Sequence, residues 1–459
     1  MIDRPKKRSS RRQFLKSSAA APAALMLPTF ITHPLWGVAA PGNKINIGVI
    51  GTGRIARDHD MPGIMKHELA RIVAVCDLDS NRVREGKALV EERYAKKGIS
   101  VGVRTYGDYR EMLQNKELDA IVICTPDHWH AKPAIETAQA GKDVYLEKPT
   151  SLTISEGRVM ADGIQRTGRI FQMGTQQRSW EQFRIACELV RNGRIGKLQT
   201  VRIGLPVDPS GNEEPEMPLP KNLNYEMWLG STPYVSYTEK RVHPQKGYDR
   251  PGWLRCEQFG AGMITGWGHH HVDIAHWGMD TEYTGPIEIS ATAEFPKRGL
   301  WDVHGEFSVE ALYANGVTML ISSKFPNGIR FEGSEGWIFV TRGSYTVTAS
   351  DPLANAANEK ALSASNPAIL ASKIGPDGIH LYRSTDHHGN WLECIKSRKQ
   401  TICPVEVGHR GCSVCLLSHV AMKLPRKLYW DPIRERFKND DEANCHLERA
   451  QRWPYQIQR

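Results

Sequence analysis

Apolar runs of strand length recur along the first third of the chain, and stretches with helical spacing separate them. The runs lie at 45–50, 71–77, 119–124 and 143–146. The helical patterns lie near 54–67, 80–97 and 130–140. Strands that alternate with helices in this way are typical of a parallel sheet with helices on both faces. The pattern therefore predicts a doubly wound α/β domain over residues 41–150.

The pattern changes after residue 150. Helical spacing at 153–167 and 180–192 flanks an apolar run at 169–173, and a further strand is expected at 198–205. Residues 206–262 are rich in Pro, Gly, Trp and Tyr and show little periodicity. A long irregular stretch of this kind is typical of a functional excursion near a binding site.

Beyond that excursion, short apolar runs separated by Gly and Asn turns predict a mainly antiparallel sheet. They lie at 287–294, 306–312, 317–323, 328–332, 336–341 and 344–348. An Ala- and Ser-rich stretch at 350–380 predicts a poorly ordered surface loop, and helices are expected near 387–397 and 406–424. The second domain is therefore predicted to be a C-terminal α/β domain with an open, mainly antiparallel sheet. It is expected to span 151–425, with a polar C-terminal tail at 426–459.

The first strand leads into a glycine-rich turn of the form G-x-G-x-x-A. Gly51 can take the tight turn, and Gly53 lets the backbone approach a pyrophosphate, which then meets the helix N-terminus at Arg54 and Ile55. The second strand ends at Asp77, whose carboxylate can accept hydrogen bonds from the ribose hydroxyls of NAD and repels the 2′-phosphate of NADP. These features predict a Rossmann domain that binds NAD, with NADP disfavoured.

Two polar elements directly follow later strands of the parallel sheet, TPDHWH at 125–130 and EKP at 147–149. Ligands of such sheets bind beyond the carboxyl ends of the strands. The residues expected to border the cofactor are Thr125, Pro126, His130, Glu147 and Lys148. Asp127 is expected to cap the following helix. Near a positively charged nicotinamide the pKa of Lys148 would be lowered, so its amine could take and return the proton of a substrate hydroxyl.

A histidine-rich segment at 268–277 is predicted to open a helix. His270, Asp273 and Trp277 share one helical face, and His269, Asp273 and His276 share another. Such a cluster could bind a metal, donate a proton, or cap and pack the helix. Three adjacent histidines cannot all point the same way, so at most two of them face a site. We expect acid–base chemistry or substrate binding here and no metal ion.

The nine cysteines have no regular disulfide spacing. Cys76 and Cys124 end apolar runs and are expected to be buried thiols. Cys412 and Cys415 lie in a helical pattern, where they are either a redox pair or, as we expect, two packed thiols. No second cysteine pair is present to complete a zinc site.

Residues 1–40 are expected to be a twin-arginine signal peptide and not part of the fold. The motif SRRQFLK at 10–16 precedes a weakly apolar, Ala-rich stretch, and small residues at 38–40 offer a cleavage site. This segment carries most of the formal net charge of +9, leaving about +3 on the mature chain. No basic stripe interleaved with aromatic residues remains, so nucleic acid is not an expected partner. The expected partner is the twin-arginine export machinery, and the expected location is periplasmic or extracellular.

Together these elements resemble the Gfo/Idh/MocA family, which includes glucose–fructose oxidoreductase and inositol dehydrogenase. The resemblance covers roughly residues 44–425, and the glycine turn, the TPDHWH and EKP elements and the histidine-rich helix occur in the family's order. It implies hydride transfer between a sugar-like carbon and nicotinamide, with Lys148 and His270 as the catalytic pair, and a homo-oligomer. The acid that the family often pairs with this histidine falls on Gly266 here, which leaves the lysine–histidine–aspartate relay without its carboxylate.

The leading expectation is therefore an NAD(P)-dependent oxidoreductase that acts on a sugar, polyol or sugar derivative with tightly bound NAD. The residues expected to orient substrate hydroxyls are His128, Arg178 and Asp273. The aromatic residues expected to stack on a sugar ring are Trp228, Tyr248 and Trp253. One alternative is a glycoside hydrolase that oxidises C3, eliminates the aglycone and reduces the ring again. Another is a non-catalytic sugar-binding module, which the presence of Lys148 and His270 disfavours.

Overall fold

The computed structural model describes residues 44–343 and 360–458. The predicted signal peptide, the strand expected at 344–348 and the first part of the loop expected at 350–380 lie outside the described residues. Among the residues that are described, none of the helices combines the length and the apolar character needed to cross a bilayer.

Six strands form the first sheet. They are β1 (Ile45–Ile50), β2 (Ala70–Cys76), β3 (Arg104–Tyr106), β4 (Ala120–Ile123), β5 (Asp143–Leu146) and β6 (Phe171–Met173). All neighbours are parallel, in the order β3-β2-β1-β4-β5-β6. Every residue of β4 and β5 is buried, as expected where helices cover both faces. From β1 the chain adds β2 and β3 on one side and then β4, β5 and β6 on the other, so the strand order reverses between β1 and β4. Open α/β sheets bind their ligands at such a reversal.

The helices of this half follow the predicted pattern. Residues 54–64 form one helical segment after the glycine turn, with a π-helical turn at Ala56–Asp60 and an α-helical turn at α1 (Met61–Ile64). The other helices are α2 (Ser80–Ala95), α3 (Tyr109–Leu113), α4 (Ala131–Gln139) and α5 (Ile154–Thr167). The sequence did not predict β3 or α3, because both are short and two of the three residues of β3 are exposed.

The second sheet has nine strands. They are β7 (Leu198–Gly204), β8 (Glu288–Ala293), β9 (Phe307–Leu312), β10 (Thr318–Ser322), β11 (Gly328–Gly333), β12 (Gly336–Val340), β13 (Leu362–Ala364), β14 (Leu428–Asp431) and β15 (Arg436–Phe437). Their order is β13-β12-β11-β7-β10-β9-β8-β14-β15. The β7–β10 pair is parallel and the other pairs are antiparallel. The predicted fold class is confirmed.

One face of this sheet packs against helices. The helices of the second half are α6 (Glu181–Arg191), α7 (Tyr225–Leu229), α8 (Met263–Gly266), α9 (Gly268–Met279), α10 (Pro367–Ala371), α11 (His387–Ser397), α12 (Val405–Lys423) and α13 (Asp441–Cys445). Every residue of α9 is buried, because α9 lies between α6, α12 and the sheet. A helix buried on all sides belongs to the core of a domain, and α9 carries the histidine-rich segment.

Three predicted boundaries differ from the structure. The parallel sheet includes β6, which lies beyond residue 150 and whose Phe171 pairs with Val144 of β5. The predicted tail is part of the second sheet, because Leu428 of β14 pairs with Ile289 of β8. The described part of the predicted surface loop contains β13 and α10. The elements that the sequence did not predict, β13, β14 and α10, are three to five residues long, too short for a periodic signal, and strand pairing or helix packing orders them.

The excursion at 206–262 is mostly irregular and is held by an apolar cluster of its own. The buried members of this cluster are Leu223, Tyr225, Trp228, Leu229, Tyr237, Val242, Cys256 and Phe259. The excursion crosses the open end of the first sheet and, as described below, closes one side of the functional site.

Candidate functional site

A single cavity runs from the glycine turn to the start of α9. Its walls come from the carboxyl ends of β1, β2, β4 and β5, from the excursion, and from α8 and α9. The predicted residues on its walls are Gly51, Gly53, Arg54, Ile55, Asp77, Thr125, Pro126, His130, Glu147, Lys148 and His270. The predicted cofactor-binding and catalytic residues therefore all border one cavity.

The glycine turn is shaped for close approach of a ligand. Gly51 has a φ of +85°, and a Cβ atom there would lie 2.7 Å from the carbonyl oxygen of Cys124. A side chain at Gly53 would meet nothing within 4 Å, so the space beside it is open to a ligand. A turn with this conformation and this open face fits the pyrophosphate of a dinucleotide.

Asp77 is held in a fixed orientation at the end of β2. One carboxylate oxygen accepts a hydrogen bond from the backbone N–H of Thr52 at 2.8 Å, and the other accepts one from the N–H of Asp79 at 3.0 Å. The carboxylate also borders the cavity. This position matches that of a carboxylate that binds the adenosine ribose.

The excursion packs over the same end of the cavity through polar contacts. His243 Nε2 lies 3.1 Å from a carboxylate oxygen of Asp79, and Arg82 donates to the carbonyl oxygen of Pro244 at 2.9 Å. The ring of Tyr248 lies under the guanidinium groups of Arg57 and Arg82, 4.2 and 4.4 Å from its centroid.

Two backbone hydrogen bonds also join the excursion to the residues after β2. The N–H of Ser80 donates to the carbonyl oxygen of Asn222, and the N–H of Asn224 donates to the carbonyl oxygen of Leu78. Tyr248 was predicted to stack on a sugar ring. The structure places it on the cavity wall beside Arg57 and Arg82, and Trp228 and Trp253 line the same cavity.

The other end of the cavity contains the proton-transfer groups. Lys148 Nζ donates a hydrogen bond to the backbone carbonyl oxygen of Gly266 at 2.8 Å. His270 is buried on the cavity wall, and burial together with the charges of Arg342 and Lys148 holds its pKa well below the usual range. Its imidazole is therefore neutral at neutral pH and can accept a proton or a hydrogen bond.

The other histidines of α9 have structural partners. His269 donates from Nε2 to the Gly408 carbonyl oxygen at 3.0 Å, His271 lies 2.9 Å from Asn327, and His276 lies 2.7 Å from the Tyr313 hydroxyl. These three do not line the cavity. Of the predicted cluster, His270 is thus the member that borders it.

Two buried acids also border the cavity. Burial raises the pKa of Asp127 to about 7, and the charges of Lys148 and Arg250 only partly oppose this. Burial, with the negative charge of Asp60, raises the pKa of Glu147 to about 8. Gln176 donates a hydrogen bond to Glu147 at 2.8 Å. Near neutral pH the cavity therefore contains carboxyl groups that hold protons.

The three residues predicted to orient the substrate do not border this cavity. Arg178 and Asp273 form a buried ion pair with nitrogen–oxygen distances of 2.7 and 2.8 Å, and Arg178 also contacts Glu282 at 2.7 Å. His128 Nε2 lies 2.7 Å from the carbonyl oxygen of Trp228, and its ring packs against Phe259. Helical spacing alone does not show that Asp273 on α9 meets Arg178 from the turn at Gln176–Ser179, so the sequence did not reveal that the two side chains pair with each other.

Sequence reasoning also missed residues on the cavity wall. Arg250 comes from the irregular excursion and Arg342 from the end of the strand run, and neither belongs to a recognisable motif. Arg342 donates to the side-chain oxygen of Gln177 at 2.9 Å and lies 4.5 Å from the ring of Trp267. Asp127 was expected both to lie beside the cofactor and to cap a helix; its side chain lines the cavity but makes no cap.

The cysteines are free thiols, including Cys412 and Cys415, and eight of the nine are buried. Burial raises the pKa of Cys415 well above its usual value, which makes a reactive thiolate unfavourable. The packed-thiol interpretation is therefore the one that the structure supports.

Comparison with known families covers most of the chain. Residues 45–175 match the oxidoreductase family with an NAD-binding Rossmann fold, and residues 209–357 and 379–457 match the C-terminal alpha/beta domain of the same family. Residues 8–28 match the signal sequence of the twin-arginine translocation pathway.

Individual relatives are more distant. The chain is 31% identical to the myo-inositol 2-dehydrogenase of Thermotoga maritima over 159 residues, which is 35% of this chain and 44% of the relative. It is 27% identical to the alpha-N-acetylgalactosaminidase of Shewanella oneidensis over 204 residues, 41% of this chain and 44% of the relative. Each match thus spans less than half of the relative's length.

Among solved structures, the WlbA dehydrogenase of Bordetella pertussis, in complex with NADH and UDP-GlcNAcA, aligns with a TM-score of 0.59. The alignment covers 84% of this chain and 99% of that one at 17% identity, a level that establishes the fold alone. The two family matches lead to one conclusion: the chain belongs to the Gfo/Idh/MocA family of oxidoreductases and has its NAD-binding Rossmann domain.

Proposed function

We propose that this protein oxidises a hydroxyl-bearing carbon of a sugar, polyol or sugar derivative and retains its NAD between turnovers. The observation that carries the proposal is the placement of Lys148 and His270 on the wall of the cavity that begins at the glycine turn. The relatives named for myo-inositol and for N-acetylgalactosamine support a substrate of the carbohydrate class.

Bound NAD would supply the acceptor for a hydride, and the residues of the chain supply the proton chemistry. Lys148, as the neutral amine, takes the hydroxyl proton while the C–H electron pair leaves as hydride, so the alcohol becomes a carbonyl. The Gly266 carbonyl oxygen accepts a hydrogen bond from Lys148 in either protonation state and so fixes the position of Nζ. The neutral His270 donates a hydrogen bond from its ring N–H to the oxygen of the substrate hydroxyl, which leaves the hydroxyl proton directed at the lysine.

Retention of the cofactor is supported by the excursion. His243, Pro244 and Tyr248 contact residues on both sides of the expected ribose position. A nucleotide held between the glycine turn and these residues could leave only after several of these contacts break. We therefore expect slow release.

Export favours the same conclusion. The twin-arginine signal directs the protein out of the cytoplasm, and we place it in the periplasm or beyond, where no obvious pool recycles NADH. A retained cofactor must be reset by a second substrate, so the expected reaction pairs oxidation of one sugar with reduction of another carbonyl compound. We further expect a homo-oligomer formed through the face of the second sheet opposite the helices, on which alternate residues of β9 are exposed.

A single-turnover measurement tests this function. The mature chain is mixed with a panel of aldoses, uronic acids and polyols with no added nucleotide, and NADH absorbance is recorded. The expected result is a burst of at most one NADH per chain, followed by continued turnover once a carbonyl acceptor is added. Steady NADH formation that requires added NAD would instead identify a conventional dehydrogenase.

A second candidate function is redox-assisted cleavage of a glycoside. Cleavage requires an acid to protonate the departing aglycone oxygen, and the buried carboxyl of Asp127 lies in the cavity with its pKa raised to about 7. Oxidation at C3, loss of the C2 proton, departure of the aglycone, addition of water and re-reduction sum to hydrolysis, with no net NADH.

Leaving groups of different acidity test this candidate. A 4-nitrophenolate departs without protonation, whereas a methoxide does not. If Asp127 is the acid, Asp127→Asn lowers the release of methanol from methyl glycosides far more than the release of nitrophenol. Equal losses for both glycosides would exclude this role, and absence of aglycone release by the wild type would exclude the function.

A further inference from the structure

A second group of metal-ligating side chains lies outside the proton-transfer site, behind the cavity wall at Cys124. It consists of His59, Asp60 and His388, each of which presents one donor atom within 4.8 Å of the other two. Asp60 is fully buried and His388 is 4% exposed. None of the three was singled out by the sequence patterns or is used by the proposed reaction.

The hydrogen bonds of this group leave one nitrogen unmatched. Asp60 accepts at one oxygen from His388 Nε2 at 2.9 Å and at the other from the thiol of Cys124 at 3.1 Å. The ring of His59 lies 5.2 Å from that of His388. Its Nε2 is buried and has no hydrogen-bond partner among the described residues. Buried polar atoms are nearly always paired, so an orphaned nitrogen beside a carboxylate and a second imidazole requires an explanation.

The backbone around the group has two unusual features, a π-helical turn and a close approach of a side chain to a glycine. His59 and Asp60 belong to the π-helical turn of segment 54–64, and such turns occur frequently at functional sites. His388 reaches these two residues from α11. The space for its ring exists because Gly63 has no side chain, and a Cβ atom at Gly63 would clash with His388 Nδ1. The Tyr145 ring stacks on His388 with centroids 5.0 Å apart. Two distant parts of the chain therefore meet at this point.

We infer that His59, Asp60 and His388 bind a divalent metal ion of the zinc class, which joins segment 54–64 to α11. Two imidazoles and a carboxylate are a ligand set that zinc uses, with water as the fourth ligand. At metal–ligand distances of about 2.0–2.1 Å, two tetrahedral ligand atoms lie roughly 3.3 Å apart. The 2.9 Å between His388 and Asp60 needs to open by only a few tenths of an ångström.

Cys124 completes the arrangement by donating to the carboxylate oxygen that faces away from His388. Partners of this kind orient a ligand without touching the metal. Magnesium and calcium prefer sites made of oxygen atoms, so neither fits this donor set. The inference does not depend on the proposed sugar chemistry.

Zinc binding to the full mature chain tests the inference. Protein stripped with a chelator and dialysed is titrated with zinc sulfate against a competing indicator, and melting temperature and NAD content are measured on the same samples. The test variants are His59→Gln and Asp60→Asn. The matched control is His67→Gln. His67 lies three residues after segment 54–64 and contacts Asp386, the N-cap of α11, over 3.1 Å, but this pair offers only two donors and is partly exposed.

The wild type and His67→Gln are expected to bind one zinc per chain with a rise in melting temperature, and millimolar magnesium should not compete. His59→Gln is expected to weaken binding at least 100-fold while the NAD content stays unchanged. If Asp60→Asn does not fold, the zinc affinity of His59→Gln tests the inference by itself. This variant is expected to fold, because the Nε2 atom of His59 makes no hydrogen bond to another described residue. Absence of zinc uptake by the wild type, or equal affinity in His59→Gln and His67→Gln, would overturn the inference.

Discussion

Lys148 donates a hydrogen bond from Nζ to the backbone carbonyl oxygen of Gly266, over 2.8 Å. Gly266 stands where the family often has the acid of its catalytic relay. A carboxylate would favour the charged ammonium form of the lysine, whereas a carbonyl carries no net charge and only orients it. In the proposed mechanism the Gly266 carbonyl oxygen therefore takes the place of that carboxylate beside Lys148.

Lys148→Ala tests the proton-transfer role. The substitution should lower turnover on any accepted sugar by about 10²–10⁴, the usual contribution of a general acid–base group. The nucleotide content should remain near that of the wild type, because Gly51 and Asp77 are unchanged. Turnover close to normal, measured as substrate-dependent NADH formation, would remove Lys148 from the mechanism.

The pKa of Asp127 predicts a pH-dependent stability difference. Its folded pKa of about 7 lies above the usual 3.8, so the folded state holds the proton more tightly than the unfolded state does. The contribution of Asp127 to the free energy of unfolding therefore falls as the pH rises from about 4 to about 7, and it is constant at higher pH.

Asp127→Asn removes this loss and should stabilise the protein at pH 8 by on the order of 4 kcal/mol, at 1.36 kcal/mol per pKa unit. The gain should be small at pH 4. Denaturant unfolding at both pH values measures the difference, and a gain of equal size at both would show that burial of this carboxyl does not shift its titration.

Arg178 is expected to act on stability and not on substrate binding. Arg178→Met leaves the buried Asp273 and the partly exposed Glu282 without their cation, and breaking a buried ion pair such as Arg178–Asp273 costs about 3–5 kcal/mol. The melting temperature should therefore fall sharply. An unchanged melting temperature with a raised KM would restore the role in substrate binding that the sequence suggested.

Tyr248 is expected to slow the release of NAD. Tyr248→Ala removes the ring that lies under Arg57 and Arg82, so the excursion loses one of its attachments over the ribose. We expect release at least tenfold faster, measured as nucleotide lost during dialysis. Tyr234→Ala is the matched control, because Tyr234 lies in the same excursion but is 64% exposed. Equal loss from both variants would mean that the contact does not hold the cofactor.

The sequence predicted those parts of the fold and site that depend on local pattern. Gly51, Asp77, Thr125 and Lys148 each lie within two residues of the end of a strand, and the parallel sheet brings strand ends to one edge. Contacts between distant segments leave no such signal. The pairing of Arg178 with Asp273, the meeting of Asp60 with His388, and the position of Arg342 all depend on tertiary packing.

Short elements escaped prediction for a related reason. The strands β3 and β14 contain three and four residues, so they cannot show a clear period, and their pairing with longer neighbours defines them. The orientation of α9 was also unpredictable, because all of its sides are buried and its polar residues find partners in several directions. The resemblance to the family singled out His270 among the four histidines of this segment, whereas the residue pattern alone did not.

The central claim, that the cofactor is NAD and stays bound through the cycle, is tested most directly by analysis of the nucleotide carried by the purified protein. The mature chain is isolated from an exporting host with no nucleotide added, then denatured, and the released nucleotide is identified and quantified. The account predicts close to one NAD per chain and little NADP. A stable nucleotide-free protein that requires added NAD at every turnover would contradict it.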